Sequence, residues 1–241
     1  MLGYPEAARA DCDQAFKEAH EVDLAGSQLW ALGGAFFIDI LCGDYAKANA
    51  RIDECVALAD EKNAAWWKAF ATLGRGWLLS QTGRASDAVQ VMTGGITAMR
   101  LTQTTLWTPF FLSILARAYA DLGQSEEAWR FISEPMGMLE TTKEKWCEAE
   151  INRIAGEIAR MPPDSDAAKA EAYFEQSLAV ARLQEAKSWE LHAATSLARL
   201  WRDEGKRAEA RDLLAPIYHW FTEGFDTPVL QDAKALLDEL A

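Results

Sequence analysis

The sequence repeats itself at an interval of about 40 residues, a period typical of helical repeat arrays, and this interval constrains the fold more than any other feature. The repeat is marked by pairs in which alanine follows glycine five positions later, and the first four of these pairs are evenly spaced: Gly3/Ala8, Gly43/Ala48, Gly83/Ala88, Gly123/Ala128 and Gly205/Ala210. A further unit around Ala172 keeps the alanine without the glycine. Such a period is typical of a solenoid, in which each unit buries its apolar face against its neighbours.

The Gly–Ala pair predicts helical hairpins. Glycine after a helix adopts the left-handed conformation without steric penalty, and alanine one turn into the next helix lets two helices approach closely. Amphipathic periods predict an all-α, right-handed α-solenoid of helical hairpins without strands. The predicted helices cover residues 5–22, 26–42, 44–61, 64–82, 85–102, 107–122, 124–140, 143–160, 166–184, 187–204, 207–222 and 228–240.

The repeats predict one continuous domain over residues 1–241. Residues 1–22 correspond to the second helix of a hairpin whose first helix is missing, so we expect this chain to be a fragment of a longer protein. Their apolar side chains would then be covered on one side only. Residues 226–241 fit a C-terminal capping helix, because one side is apolar and the other is polar, as the end of a repeat array requires.

Composition excludes several classes of function. The net charge of −13 argues against nucleic-acid binding, which depends on neutralising phosphates. The lack of a long uninterrupted apolar run argues against a membrane span, and the lack of a signal peptide favours a cytoplasmic location. The four cysteines form no C-x-x-C pair and the three histidines do not cluster with them. We therefore expect free thiols, no metal and no cofactor.

Aromatic residues recur at a constant phase in the first helix of each hairpin. Trp67, Trp107 and Trp189 all stand at one shared distance before the glycine that follows their helix. Trp30, Phe70, Phe110 and His192 share a second position, three residues closer to that glycine. Large side chains at one phase fill the space between hairpins, so most of these residues are interpreted as core.

The array resembles the tetratricopeptide repeat, although its period of about 40 residues exceeds that family's usual length of about 34. The C-terminal stretch "SLARLWRDEGKRAEARDLLAPIYHWFTEGFDT" is more specific and resembles the end of a group of bacterial multidomain signalling proteins. "GYPEAARADCDQAFKEAHE", "RGWLLSQTG" and "KWCEAEINRIAGEIA" are similar to earlier repeats of that group. Members carry an adenylate/guanylate cyclase or winged-helix domain, then an ATPase module, then these repeats.

The resemblance implies no catalytic residue in this chain, because the cyclase and ATPase motifs belong to upstream domains. Ser188, Glu190 and His192 lie near one another in sequence, but no orienting acid or oxyanion donor accompanies them. The carboxylate pairs Glu148/Glu150 and Glu126/Glu127 are interpreted as solvated helix faces. The sequence therefore predicts a non-enzymatic domain.

The leading hypothesis is a regulatory binding domain, and the alternative is a small-molecule sensor that controls upstream modules. The partner would be a protein, a peptide or a second copy of the chain, the last of these through the N-terminal helix. Residues 61–120 hold six basic and two acidic side chains, so this segment is locally cationic. Aromatic rings beside lone cations suit a carboxylate-bearing partner. The candidate groove residues are Trp67, Lys68, Arg75, Trp107, Phe110, Arg117, His192 and Arg199. The competing interpretation makes Trp77 and Phe110 core residues and pairs the arginines with acids on adjacent helices.

Overall fold

The computed structural model describes residues 1–162 and 165–241, and in these residues it contains helices but no strands. A single 3-10 turn, Lys145–Cys147, precedes the eighth α-helix. The α-helices are α1 Pro5–Val22, α2 Ala25–Cys42, α3 Tyr45–Glu61, α4 Ala65–Gln81, α5 Ala85–Leu101, α6 Thr108–Asp121, α7 Ser125–Thr142, α8 Glu148–Ala159, α9 Ala167–Leu183, α10 Lys187–Asp203, α11 Arg207–Tyr218 and α12 Pro228–Glu239.

The Gly–Ala pairs act as the period predicts. The glycines of all five pairs have a positive φ, from 71° at Gly123 to 98° at Gly3. The alanine that follows lies four residues after the N-cap of the next helix, and in α3, α5, α7 and α11 it is fully buried. In α9 the buried alanine at this position is Ala170, whereas Ala172 is not buried, so the sequence assignment of Ala172 is wrong by two residues.

Five hairpins stack in order: α2–α3, α4–α5, α6–α7, α8–α9 and α10–α11. Each first helix packs on the first helix of the next hairpin, so α2, α4, α6, α8 and α10 together form the inner wall of the array. Helix α1 packs on α2, and α12 packs on α10 and α11. The second helices α3, α5, α7 and α9 each also pack on the first helix of the following hairpin.

Two helix boundaries differ from the sequence expectation for a visible reason. The sequence predicts helix over residues 143–147, but α8 begins only at Glu148. The carboxylate of Glu144 accepts hydrogen bonds from the Trp107 backbone N–H (2.9 Å) and the Trp146 indole N–H (3.0 Å), which holds this stretch against α6. Helix α11 ends at Tyr218 instead of residue 222, because the residues that follow pack against the start of the chain.

Helix α1 is fixed to α2 and α3 by a network of charges. Arg51 on α3 donates to Asp39 on α2 at 2.7 Å and to Asp13 on α1 at 2.5 Å. Arg51 and Asp39 are both buried, while Asp13 is half exposed. On α1, Cys12 and Phe16 are partly buried and Ala19 is buried.

The first turn of α1 also packs against residues 219–228, and we call this contact the seam. The Glu223 carboxylate accepts hydrogen bonds from the backbone N–H groups of Glu6 (2.9 Å) and Ala7 (3.2 Å), two donors that the helix itself leaves unpaired. In return, the Glu6 carboxylate accepts from the Gly224 N–H at 3.0 Å. Glu6 and Glu223 lie 217 positions apart in sequence, so the seam closes the array on itself.

Further contacts extend the seam on both sides. Arg9 pairs with Asp226 at 3.1 Å and also donates to the carbonyl of Cys42 at 3.0 Å. The rings of Tyr4 and Trp220 lie 5.5 Å apart. The first helix of the chain therefore contacts both its sequence neighbour and the segment that leads into α12.

Among the described residues, α2 is the one helix long and apolar enough to cross a membrane, with a mean hydropathy of 1.3 over its 18 residues. Half of this helix is buried inside the protein, where it packs against α1, α3 and α4. Its apolar character is accounted for by this central position in the array.

Candidate central binding cavity

The inner wall encloses a cavity of about 700 Å³, to which α2, α4, α6, α8, α10 and α12 all contribute side chains. We call it the central cavity. Its wall combines aliphatic and aromatic side chains with polar and charged ones. Four of the eight groove residues predicted from sequence line it: Phe110, Arg117, His192 and Arg199.

The charged part of the wall is centred on Arg153 of α8. Its guanidinium group donates to both carboxylate oxygens of Glu150, at 2.7 and 2.8 Å, and lies 3.4 Å from Glu157. The Glu157 carboxylate also accepts a hydrogen bond from the Ser196 hydroxyl at 2.7 Å. Burial opposes ionisation of Glu150 and Glu157, but the positive charge of Arg153, hydrogen bonds to the carboxylates and other nearby cations together outweigh it and lower the pKa of both.

His192 of α10 lies beside this network without joining it. Its Nδ1 atom is 3.8 Å from the Glu150 carboxylate, too far for a hydrogen bond. Burial is the main cause that lowers the pKa of His192 to about 4, and the nearby Arg153 and Arg199 act in the same direction. The imidazole is therefore neutral at physiological pH. Its ring packs edge-on against the buried Trp189, with centroids 5.3 Å apart.

Two more arginines hold partly exposed head groups at the cavity. Arg117 of α6 pairs with Asp121 one turn later at 2.8 Å, and 38% of its side chain is exposed. Arg199 of α10 pairs with Asp232 of α12, and 31% of its side chain is exposed. All four of these residues line the cavity. Unlike Arg153, these two cations remain in contact with solvent.

Aromatic side chains fill the interior at one side of the cavity. Phe37 of α2 contacts Trp77, Trp107, Phe110 and Trp146, with ring centroids 4.8 to 6.1 Å apart. These rings come from four successive first helices or their leading turns. Phe37, Trp77 and Phe110 are buried, and Trp107 is partly buried. The cluster thus packs the first four hairpins around a common aromatic centre.

Three of the remaining predicted groove residues lie on other surfaces of α4, and the fourth, Trp107, is the N-cap of α6 and packs in the aromatic cluster. Lys68 pairs with Asp60 at 2.6 Å, and Arg75 pairs with Asp53 at 2.5 Å; both acids belong to α3. Trp67 packs edge-on against Trp30, with centroids 4.9 Å apart. The structure therefore separates the predicted cations into two pairs, one at the central cavity and one between α3 and α4.

Sequence reasoning missed the residues that dominate the charged wall. The interpretation of Glu150 as part of a solvated helix face is wrong, because this residue is 5% exposed and paired with Arg153. The sequence does contain a signal: Glu150, Arg153 and Glu157 follow one another at helical spacing on the same face, between buried isoleucines. Only the tertiary fold shows that this face points inwards.

The described residues hold no group of three His, Cys, Asp or Glu side chains suited to a metal ion. All four cysteines carry free thiols, and Cys42, Cys55 and Cys147 are buried. Burial raises the pKa of Cys55 to about 12, so this thiol stays protonated and unreactive at neutral pH. The chemistry that this cavity offers is ion pairing, hydrogen bonding and aromatic packing.

Neither protein-family models nor curated proteins match this sequence. Several solved structures are similar to this chain. RapI in its apo form is 10% identical and aligns with a TM-score of 0.69 over 99% of this chain and 80% of its own. The chain folds as a tetratricopeptide-like α-solenoid. BtubC (BKLC) from P. vanneervenii is 14% identical, with a TM-score of 0.58 over 98% of this chain and 89% of its own.

A putative kinesin light chain from Podosopora anserina, described as having nearly identical TPR-like repeats, is 16% identical. It aligns with a TM-score of 0.53 over 88% of this chain and 96% of its own. At these identities the likeness concerns the fold alone. It shows that the chain is built of stacked helical hairpins.

Proposed function

We propose that this chain is a non-catalytic, regulatory protein-interaction domain, and that a peptide segment of a partner occupies the central cavity. In this proposal it belongs to a larger cytoplasmic bacterial signalling protein and passes the bound state to cyclase or ATPase modules. The observation that carries the proposal is the cavity itself, with two partly exposed arginines beside apolar side chains.

Arg117 and Arg199 give the cavity its preference for a carboxylate. Each is paired with an aspartate on a solvent-accessible surface, where an ion pair contributes little to stability, about 0–1 kcal/mol. A carboxylate of a bound peptide can therefore replace Asp121 or Asp232 at small cost. The partly exposed Leu41, Tyr45 and Val229 of the wall would supply apolar area, which a peptide side chain or backbone can cover.

The test uses a library of random heptapeptides with free C-terminal carboxylates, selected on the wild-type protein. Peptides that bind are then measured against the double variant Arg117→Glu/Arg199→Glu. We expect at least about ten-fold weaker binding, since each lost charge pair is replaced by repulsion. The matched control is Lys68→Glu/Arg75→Glu, which reverses two cations outside the cavity and should change the dissociation constant less than about three-fold.

Circular dichroism melts of both variants establish that the fold is intact. Equal losses of binding in the two double variants would overturn the proposal, and so would selected peptides that bind the cavity variant as tightly as the wild type.

A second candidate function is effector sensing, with a small molecule in the same cavity. The supporting observation is the volume of about 700 Å³, which lies within the range of about 300–1,000 Å³ common for small-molecule sites. A thermal-shift screen with a library of small metabolites distinguishes the two. A compound that raises the melting temperature of the wild type but not of Arg117→Glu/Arg199→Glu favours the sensor.

A further inference from the structure

A second cavity, of about 330 Å³, lies at the seam. We call it the seam chamber. Its wall is mainly apolar and comes from four parts of the chain that are distant in sequence. They contribute Ala8 of α1, Ile38 and Leu41 of α2, Trp189 of α10, and Phe221, Val229 and Leu230 at the C-terminal end. This chamber exists only while α1 and residues 219–228 are in contact.

The seam chamber and the central cavity share part of their walls. Leu41, Trp189, His192 and Val229 line both. The two spaces are therefore neighbours, separated at the first turns of α10. The seam chamber is lined mainly by carbon atoms, whereas the wall of the central cavity carries the ion pairs.

Polar atoms at this boundary lack partners. No hydrogen bond to the His192 ring occurs among the described residues, and the nearest carboxylate oxygen is 3.8 Å away. The indole N–H of Trp189 is buried and has no acceptor within the described part of the chain. Buried polar groups normally have partners, so the unpaired indole N–H of Trp189, beside the partly exposed ring of His192, indicates a site for a hydrogen-bonding ligand.

Arg153, the buried cation near the boundary, is held by Glu150 and Glu157. An anionic ligand group could reach it only by breaking this buried network, and Asp11 on the wall of the seam chamber would repel such a group. A cationic group at His192 would face the positive charges of Arg153 and Arg199, whereas a neutral group needs only the free hydrogen-bonding capacity of His192. A neutral imidazole offers one donor and one acceptor, which an amide or a hydroxyl group matches.

We propose that the seam chamber binds the apolar chain of a neutral amphipathic small molecule whose polar group hydrogen-bonds to His192. Such a ligand contacts α1 on one side and α12 on the other. Its binding free energy is then available only in the closed array, and the ligand holds the two ends together. This site and its ligand are separate from the peptide surface proposed above.

The probes are straight-chain primary amides from hexanamide to decanamide, titrated calorimetrically into the wild-type protein. We expect binding that strengthens about four-fold per added methylene, the ratio that corresponds to transfer of one CH₂ group from water to an apolar site. Val229→Trp and Ile38→Trp, which fill the chamber from two different helices, should each abolish it. Val89→Trp, a half-buried valine on α5, is the matched control and should bind as the wild type does.

Hydrogen exchange locates the probe. Decanamide should slow exchange in residues 1–12 and 219–230 together, because it bridges the two sides of the seam. Decanoate and decylamine of equal chain length should bind at least about ten-fold more weakly, since each introduces an unpaired charge. The proposal is overturned if no amide binds up to its solubility limit, if folded Val229→Trp and Ile38→Trp still bind, or if protection appears elsewhere.

Discussion

At the scale of single residues, the buried ion pair between Arg51 and Asp39 should be sensitive to the loss of either residue. Burial raises the pKa of Asp39, and the charge of Arg51 opposes this effect. With its cation in place the carboxylate can remain ionised in the interior. Without it, a buried group would be left either charged and unpaired or protonated, and both states disfavour folding.

Arg51→Met tests this pair. The substitution keeps an unbranched side chain but leaves Asp39 without its partner, so the free energy of unfolding should fall by about 3–5 kcal/mol. Lys47→Met is the matched control, because Lys47 pairs with Asp13 at 2.8 Å on the surface and its loss should cost less than about 1 kcal/mol. Urea denaturation measures both, and equal losses in the two variants would contradict the argument.

At the scale of elements, the contact of α8 with α10 places His192 between charges from three helices. Glu150 and Arg153 face it from α8, Arg199 shares α10, and Asp232 approaches from α12. The pKa of His192 in the folded protein, about 4, lies below its ordinary value of 6.5. Between about pH 6.5 and pH 4, His192 takes up a proton in the unfolded chain but not in the folded protein. The free energy of unfolding therefore decreases as the pH falls below about 6.5.

His192→Gln should flatten this pH dependence. Between about pH 7 and pH 5 the wild type should lose up to about 2 kcal/mol that the variant does not lose, since the variant has no imidazole to protonate. Measurement stays above about pH 5, because the carboxylates of Glu150 and Glu157, whose pKa values are lowered, contribute only at more acidic pH. Denaturation at a series of pH values gives the two slopes, and parallel slopes would show that His192 is not the group responsible.

The elements are the part of this fold that local sequence signals can predict. Glycine at a positive φ and alanine at a close helix crossing can both be recognised in the sequence. Ten of the twelve described helices therefore agree with the predicted ranges within two residues at both ends. The error at α8 arises because Glu144 bonds to Trp107 from another hairpin, a contact that no local pattern contains. The charged wall of the central cavity and the seam could not be predicted from local patterns either, because both join residues far apart in sequence.

At the scale of the whole molecule, closure depends on a close approach of two backbones. Gly224 has a φ of 73°, and a Cβ atom at this position would overlap the ring of Pro5. Gly205 has a φ of 83° with open space around it. Both positions favour glycine for its backbone conformation, but of these two only Gly224 also faces another part of the chain.

Gly224→Ala should therefore loosen the seam, while Gly205→Ala should impose only the shared backbone cost of about 1 kcal/mol. We expect faster hydrogen exchange in the first turn of α1 in Gly224→Ala and unchanged exchange there in Gly205→Ala. Comparable exchange of α1 in both variants would mean that the seam does not hold this helix.

The seam also changes how the array can come apart. An open solenoid is a linear chain of coupled units, and it frays from its two free ends because terminal units have one neighbour instead of two. Hydrogen bonds between residues 217 positions apart give the outermost helices a second neighbour, so the units follow one another around a loop. Fraying from either end then breaks the same bonds. A ring of this kind has no weakest terminal unit, and its melting should gain the all-or-none character of a single globular domain.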